Sequence, residues 1–149
     1  MERRTLIENL IATIRRAGDS PAFLHAQEYS SGETGILAYL STLPSGTTAG
    51  NLREEIRVGA SRIANALKNL EDKELVTRSS DPTDRRRVIV RITEKGQQLS
   101  RQNEKLLFSK INSLIDTMGE QNFTELTRLI NTLFDTLEQA QNIIEKNKA

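Results

Sequence analysis

A mainly α-helical chain with one small β-hairpin is the fold class this sequence predicts, from three observations. Apolar residues recur at helical spacing over most of the 149 positions. The period changes to alternation only between residues 75 and 92. Clusters of Gly, Pro, Ser and Asp at 18–21, 44–46 and 79–84 punctuate the helices without opening long loops. Charged residues make up 28% and hydrophobic residues 36%, the balance of a single soluble domain with a modest core. Aromatics are only 4%, so Leu and Ile supply most of the burial.

The elements follow in order. Leu6, Ile7, Leu10, Ile11 and Ile14 make residues 2–17 an amphipathic helix, ended by Gly18, Asp19, Ser20 and Pro21. Residues 22–30 are ambiguous, with room for a short helix. Ser31 and Glu33 open the next helix, with Ile36, Leu37 and Leu40 on its apolar face. After the turn Pro44-Ser45-Gly46, Thr47 or Thr48 caps a short helix that runs to Ile56. Val58-Gly59 breaks the pattern, and residues 60–73 form a helix with Ile63, Leu67 and Leu70 on one face. Its other face reads Arg62, Asn65, Lys68, Asn69.

Leu75–Arg78 then reads as a short strand. Val88–Ile92 is a better one, with Val88, Val90 and Ile92 facing one way. The loop between them, residues 79–87, is polar and holds Pro82 and three consecutive Arg. Thr93 caps a helix from Glu94 to about Met118, Gly119 breaks it, and residues 121–145 form the last helix.

A short helix, a tight turn, a second helix with a basic face and a two-stranded hairpin are the parts of a winged helix-turn-helix. Here they occupy residues 31–96 of a single domain, 1–149. The expected architecture is therefore mainly α with a small β-hairpin wing: a winged helix-turn-helix plus N- and C-terminal dimerisation helices, 2–17 and 97–146. A unit of about 60 residues cannot cover so much Leu and Ile. The simplest cover is a second copy of the chain, giving a two-fold homodimer. Its two recognition helices would face successive major grooves of double-stranded DNA about 34 Å apart and read a pseudo-palindrome.

Charge supports this. The net charge is only +1, yet residues 53–101 carry twelve basic and eight acidic side chains. Both flanking thirds are net negative. Screening limits each cation to a neighbourhood of about 10 Å, so local basicity is what a small polyanion-binding face needs. No acidic residue lies between Val58 and Leu70. Arg62 and Asn65 suit guanine and adenine edges. Ser61 sits near a helix N-terminus, where hydroxyl and N–H groups suit a phosphate. Lys68 lies too far along the helix for bases and fits a phosphate contact or plain surface charge. Arg85 and Arg87 fit phosphate contacts or plain surface charge. His25, Tyr29 and Tyr39 are the candidates for a small-molecule pocket, against the blander reading of packed or surface residues.

One segment is more specific. Leu70-Glu71-Asp72-Lys73-Glu74-Leu75-Val76-Thr77-Arg78, followed by Asp81-Pro82-Thr83-Asp84-Arg85-Arg86-Arg87-Val88-Ile89-Val90-Arg91-Ile92-Thr93-Glu94-Lys95-Gly96, resembles the wing signature of the MarR family of bacterial regulators. The resemblance implies a homodimeric transcription factor, usually a repressor, often released from DNA by a small ligand. It implies that Arg86 is the wing-tip residue that enters the minor groove and that Asp84 orients it. It also places Ser61, Arg62 and Asn65 where the family's recognition helix meets DNA. Two positions depart from the family pattern. Glu74 stands where Gly is usual, so it must strain or use another turn. Arg53 stands where Ala is usual, so two helices cross more loosely or the Arg reaches out to phosphate.

Other classes find less support. There is no Cys, which excludes disulfides, thiolate metal sites and a thiol switch, and the single His argues against a His-based zinc site. No cofactor and no metal are expected. There is no Ser/His/acid set and no Gly-rich phosphate loop, so an enzyme is not expected. The longest apolar run, Ile36 to Leu40, is far below the roughly 20 residues a bilayer requires, and Glu8 and Asn9 interrupt the N-terminal apolar stretch. The expected location is cytoplasmic, with no membrane contact. The competing function is a winged-helix protein-interaction module that never touches DNA; such a wing has no reason to collect cations.

Overall fold

The computed structural model describes residues 2–20, 32–82, 84 and 87–146. The chain divides into two compact units, Met1–Glu104 and Lys105–Ala149. Among the described residues the first unit opens with α1 (Arg3–Gly18) and continues with α2 (Glu33–Ser41), β1 (Thr47–Thr48), α3 (Ala49–Ile56), α4 (Ala60–Asp72), β2 (Val76–Ser80) and β3 (Val88–Ile92). Helix α5 (Glu94–Met118) starts in that unit and runs into the second, which also holds α6 (Glu120–Lys146).

The core of the first unit follows from the helical stripes. Ile36, Leu37 and Leu40 of α2, Leu52 of α3, and Ile63, Leu67 and Leu70 of α4 join Leu75, Val76 and Val90, all 5% exposed or less. Each such side chain contributes roughly 1.5–3 kcal/mol by leaving water. The spacing 63, 67, 70 keeps one face of α4 in the core and leaves the other in solvent.

The sheet is larger than the sequence predicts. Instead of a two-stranded hairpin there are three antiparallel strands in the order β1-β3-β2. Thr47 pairs with Val90 and Thr48 with Ile89, on the edge of β3 that β2 leaves open. A two-residue strand is too short to show alternation, so its pairing is decided by β3. Gly46 makes the approach. Its φ is +76°, and a Cβ there would sit 2.4 Å from the Val90 carbonyl oxygen. Thr48 also caps α3, its hydroxyl accepting the Asn51 N–H at 3.2 Å. The wing strand is longer as well. Ser79 and Ser80, expected in the loop, pair with Ile89 and Val88, so the loop is cut to residues 81–87.

Glu74 resolves by strain. It takes the left-handed conformation, φ 60°, just past α4. The Leu75 N–H bonds the Leu70 carbonyl and the Glu74 N–H bonds the Glu71 carbonyl, both at 2.8 Å, which is the Schellman closure glycine normally provides. Leu70 and Leu75 are buried beside it. Thr93 then ties this corner to α5. Its hydroxyl donates to the Glu74 carbonyl at 2.8 Å and accepts the Gly96 N–H at 3.0 Å. Gly96 passes so close to the strand that a Cβ would lie 2.2 Å from the Leu75 carbonyl oxygen. Arg53 is exposed on α3, so it reaches outward rather than into a helix crossing.

The remaining stripes stay uncovered. Helix α1 buries no residue, and Leu6, Ile7, Leu10, Ile11 and Ile14 are 45–60% exposed. In the second unit Leu106, Phe108 and Leu114 of α5 and Leu126, Leu129, Leu133, Phe134 and Leu137 of α6 are exposed too.

Candidate nucleic-acid interface

The solvent face of α4 is built by its own period. With Ile63, Leu67 and Leu70 turned inward, Ser61, Arg62, Asn65 and Lys68 are all exposed. Gly59 is the N-cap and supplies no side-chain hydrogen bond, and no acid occupies the first turn. A helix N-terminus of this composition carries uncompensated partial positive charge.

The far end of the same face is occupied. Glu33, at the start of α2, accepts from Asn69 Nδ2 at 3.1 Å and pairs with Lys73 Nζ at 2.6 Å. Asn69 is thereby taken from the outer row that the sequence places it in. The pairs lie 36 and 40 residues apart, so no local pattern announces them. Their effect is to fasten the C-terminal half of α4 to α2, leaving its N-terminal half to face solvent.

The wing is braced to α4 and across its own strands. Arg78 Nε lies 3.2 Å from Glu71 Oε2, and Arg91 Nη1 donates to Ser79 Oγ at 2.7 Å. At the described ends of the loop, the Asp81 N–H bonds the Arg87 carbonyl and the Arg87 N–H bonds the Asp84 carbonyl, each at 2.9 Å. Asp84 is half-buried and Arg87 exposed. Arg85 and Arg86 lie outside the described residues.

Among the described residues of 53–95 the cations fall into two sets. Lys73, Arg78, Lys95 and Arg91 are held by protein partners at the back of α4 and in the wing. Among the described residues, the side chains of Arg53, Arg57, Arg62, Lys68 and Arg87 make no ion pair or hydrogen bond, and all five are exposed. They belong to α3, the turn after it, α4 and the wing loop. Exposed, unpartnered cations on these consecutive elements suit a polyanion.

The ligand candidates are less informative. Tyr39 is half-buried and packs against the core of the first unit. His25 and Tyr29 lie outside the described residues. A shallow surface depression lined by Glu120, Gln121, Thr124 and Glu125 belongs to α6 and includes none of them. Beside it Arg128 donates two hydrogen bonds to Glu125, holding that carboxyl below its ordinary range and the guanidinium above its own. Among the described residues no group of three or more His, Cys, Asp or Glu is placed to hold a metal ion. No helix described is long and apolar enough to cross a membrane.

Comparison with known proteins points the same way. A sequence family described as a winged helix DNA-binding domain matches residues 36–96. No curated protein matches the sequence. Solved structures match nearly the whole chain. FabT of Streptococcus pneumoniae in complex with DNA is 20% identical, with a TM-score of 0.67 over 93% of this chain and 99% of that one. The Staphylococcus aureus MepR–DNA complex is 18% identical, with a TM-score of 0.63 over 91% and 98%. Bordetella bronchiseptica BpsR, whose DNA binding is regulated by 6-hydroxynicotinic acid, is 16% identical, with a TM-score of 0.66 over 83% and 91%. At these identities the likeness is one of fold.

Proposed function

We propose that this chain, a winged-helix DNA-binding transcriptional regulator of the MarR type, acts as a homodimeric repressor on a pseudo-palindromic operator. The observation that carries the reading is the outer face of residues 60–70, a stretch without an acidic residue, where Ser61, Arg62, Asn65 and Lys68 stand exposed and Arg62 and Lys68 have no protein partner.

In this reading α4 enters the major groove N-terminus first, because Glu33 occupies its other end. Arg62 and Asn65 read base edges, each good bidentate contact contributing about 1–3 kcal/mol of discrimination. Ser61 and Lys68 hold phosphates and set the register. The wing reaches the flanking minor groove, where Arg86 meets the deeply negative potential of a narrow groove and Asp84 orients it. Arg85 and Arg87 add phosphate contacts.

Dimerisation is supported by the uncovered stripes of α1, α5 and α6. Residues 2–17 and 97–146 make the dimerisation part and 31–96 the DNA-binding part. Apolar rows running over many helical turns favour a partner with equally long apolar rows, and a second copy supplies it. Release by a small molecule is the further element. The BpsR precedent supports it, and Tyr39 with His25 and Tyr29 are the residues proposed to meet the effector. The cytoplasm is the proposed location.

The test is a duplex titration at several salt concentrations. Binding weakens steeply with salt, with a log–log slope of about −0.9 per phosphate neutralised. Arg86→Ala weakens binding strongly at every sequence tested. Asn65→Ala relaxes sequence preference more than total affinity. Salt-independent or absent binding overturns the proposal in favour of a protein-interaction module.

A further inference from the structure

Two residues with side chains occupy the left-handed backbone region, Arg57 at φ 56° and Glu74 at φ 60°. A Cβ in that conformation crowds the following carbonyl, so glycine is the usual occupant. Such strain persists where surrounding contacts hold it.

For Glu74 those contacts are in the chain. Besides the two backbone bonds of the helix closure, Thr93 holds its carbonyl and Lys95 Nζ lies 3.2 Å from its carboxylate. Arg57 is held through the backbone alone, by Ile56 and Val58 on either side of it, which pack against the core. It ends α3, its side chain is exposed, and no hydrogen bond or ion pair engages it. Arg53, one helical turn earlier, is likewise exposed and without a partner. Glu54 and Glu55 share the helix, yet neither forms an ion pair with either Arg. Only Val58 and Gly59 separate Arg57 from the start of α4. Both Arg therefore belong to the helix and turn that lead into the N-terminal end of α4, where Ser61, Arg62 and Asn65 are exposed.

We propose that Arg53 and Arg57 form a phosphate clamp that grips the DNA backbone beside the groove that α4 enters. This rests on the DNA-binding reading above and extends it to the helix before the recognition helix. The occupant is a phosphodiester: an anion whose bridging of two neighbouring guanidinium groups supplies the counter-charge the chain withholds. The contact is to the backbone, so it raises affinity for every sequence alike.

The conformation of Arg57 makes the test clean, because glycine fits that backbone better than arginine does. Arg57→Gly raises the thermal unfolding midpoint of the full chain. In titrations of a labelled duplex of about three helical turns it makes the log–log salt slope shallower by about 0.9 per protomer. The corresponding affinity loss is about eightfold per protomer at 0.1 M salt relative to 1 M. Arg53→Ala, at a position where alanine favours the helix, gives a similar loss of slope. Arg57→Lys keeps the wild-type slope. An Arg57→Gly protein with unchanged slope and affinity overturns the clamp while leaving the regulator reading intact. A wild-type chain that binds no duplex overturns both.

Discussion

Helix α4 and helix α6 carry the same kind of apolar stripe and meet opposite fates. In α4, Ile63, Leu67 and Leu70 are no more than 2% exposed. In α6, Leu126, Ile130 and Leu133 repeat at the same spacing and are 40–47% exposed. Period and composition do not separate them. What separates them is company: α4 has β2, α2 and α3 against it, while the α6 row has no cover within its own unit. A helical stripe states that a surface must be buried, and the neighbouring elements decide whether the chain itself can do so.

The contrast can be broken at either end. The largest effect is expected from Leu70→Ala, which empties a fully buried site and lowers the stability of the first unit by about 2–5 kcal/mol in denaturant titration. Gly96→Ala follows, at about 3 kcal/mol, because the added methyl meets the Leu75 carbonyl rather than a side chain that can turn away. It disturbs the corner where α4, the wing and α5 are joined, so under the proposed function DNA affinity falls with stability.

Leu133→Ala sharpens the comparison from the other side. The side chain is 47% exposed, so about half its burial remains to be gained in the proposed dimer, roughly 1 kcal/mol per copy. The two-fold pair loses about 2 kcal/mol, near thirtyfold in the dimer dissociation constant by sedimentation. The circular dichroism of the chain stays unchanged. A dissociation constant that does not move would place the partner surface elsewhere. The smallest effect is stabilising. Gly50 lies in α3 with ordinary backbone, and a Cβ there would approach only the Thr48 hydroxyl oxygen, at 3.7 Å. Gly50→Ala raises stability by about 0.5–1 kcal/mol in the same denaturant titration.

Much of this was legible before any coordinates. The inward row 63, 67, 70 settles which side of α4 faces out, and hence that Ser61, Arg62, Asn65 and Lys68 share a face. Thr93-Glu94 marks the start of α5 and Gly119 its end to the residue. The strand Val88–Ile92 shows itself by alternation. Other features were not legible because they join distant positions. Glu33 reads as the first turn of a helix, and nothing near it predicts that it holds Asn69 and Lys73. Thr47 reads as a cap candidate, and nothing in two residues predicts a third strand. Arg57 reads as one more surface charge until its φ is known.

Residue order alone, then, determined the succession of helices, the inward face of each, the wing strand and the basic middle third, because each is a property of a short window of chain. The tertiary structure decided which stripes find cover, which cations are neutralised, and how Glu74 ends a helix without glycine. Those outcomes depend on groups tens of residues apart arriving within hydrogen-bonding or van der Waals distance, and only the folded backbone sets those distances.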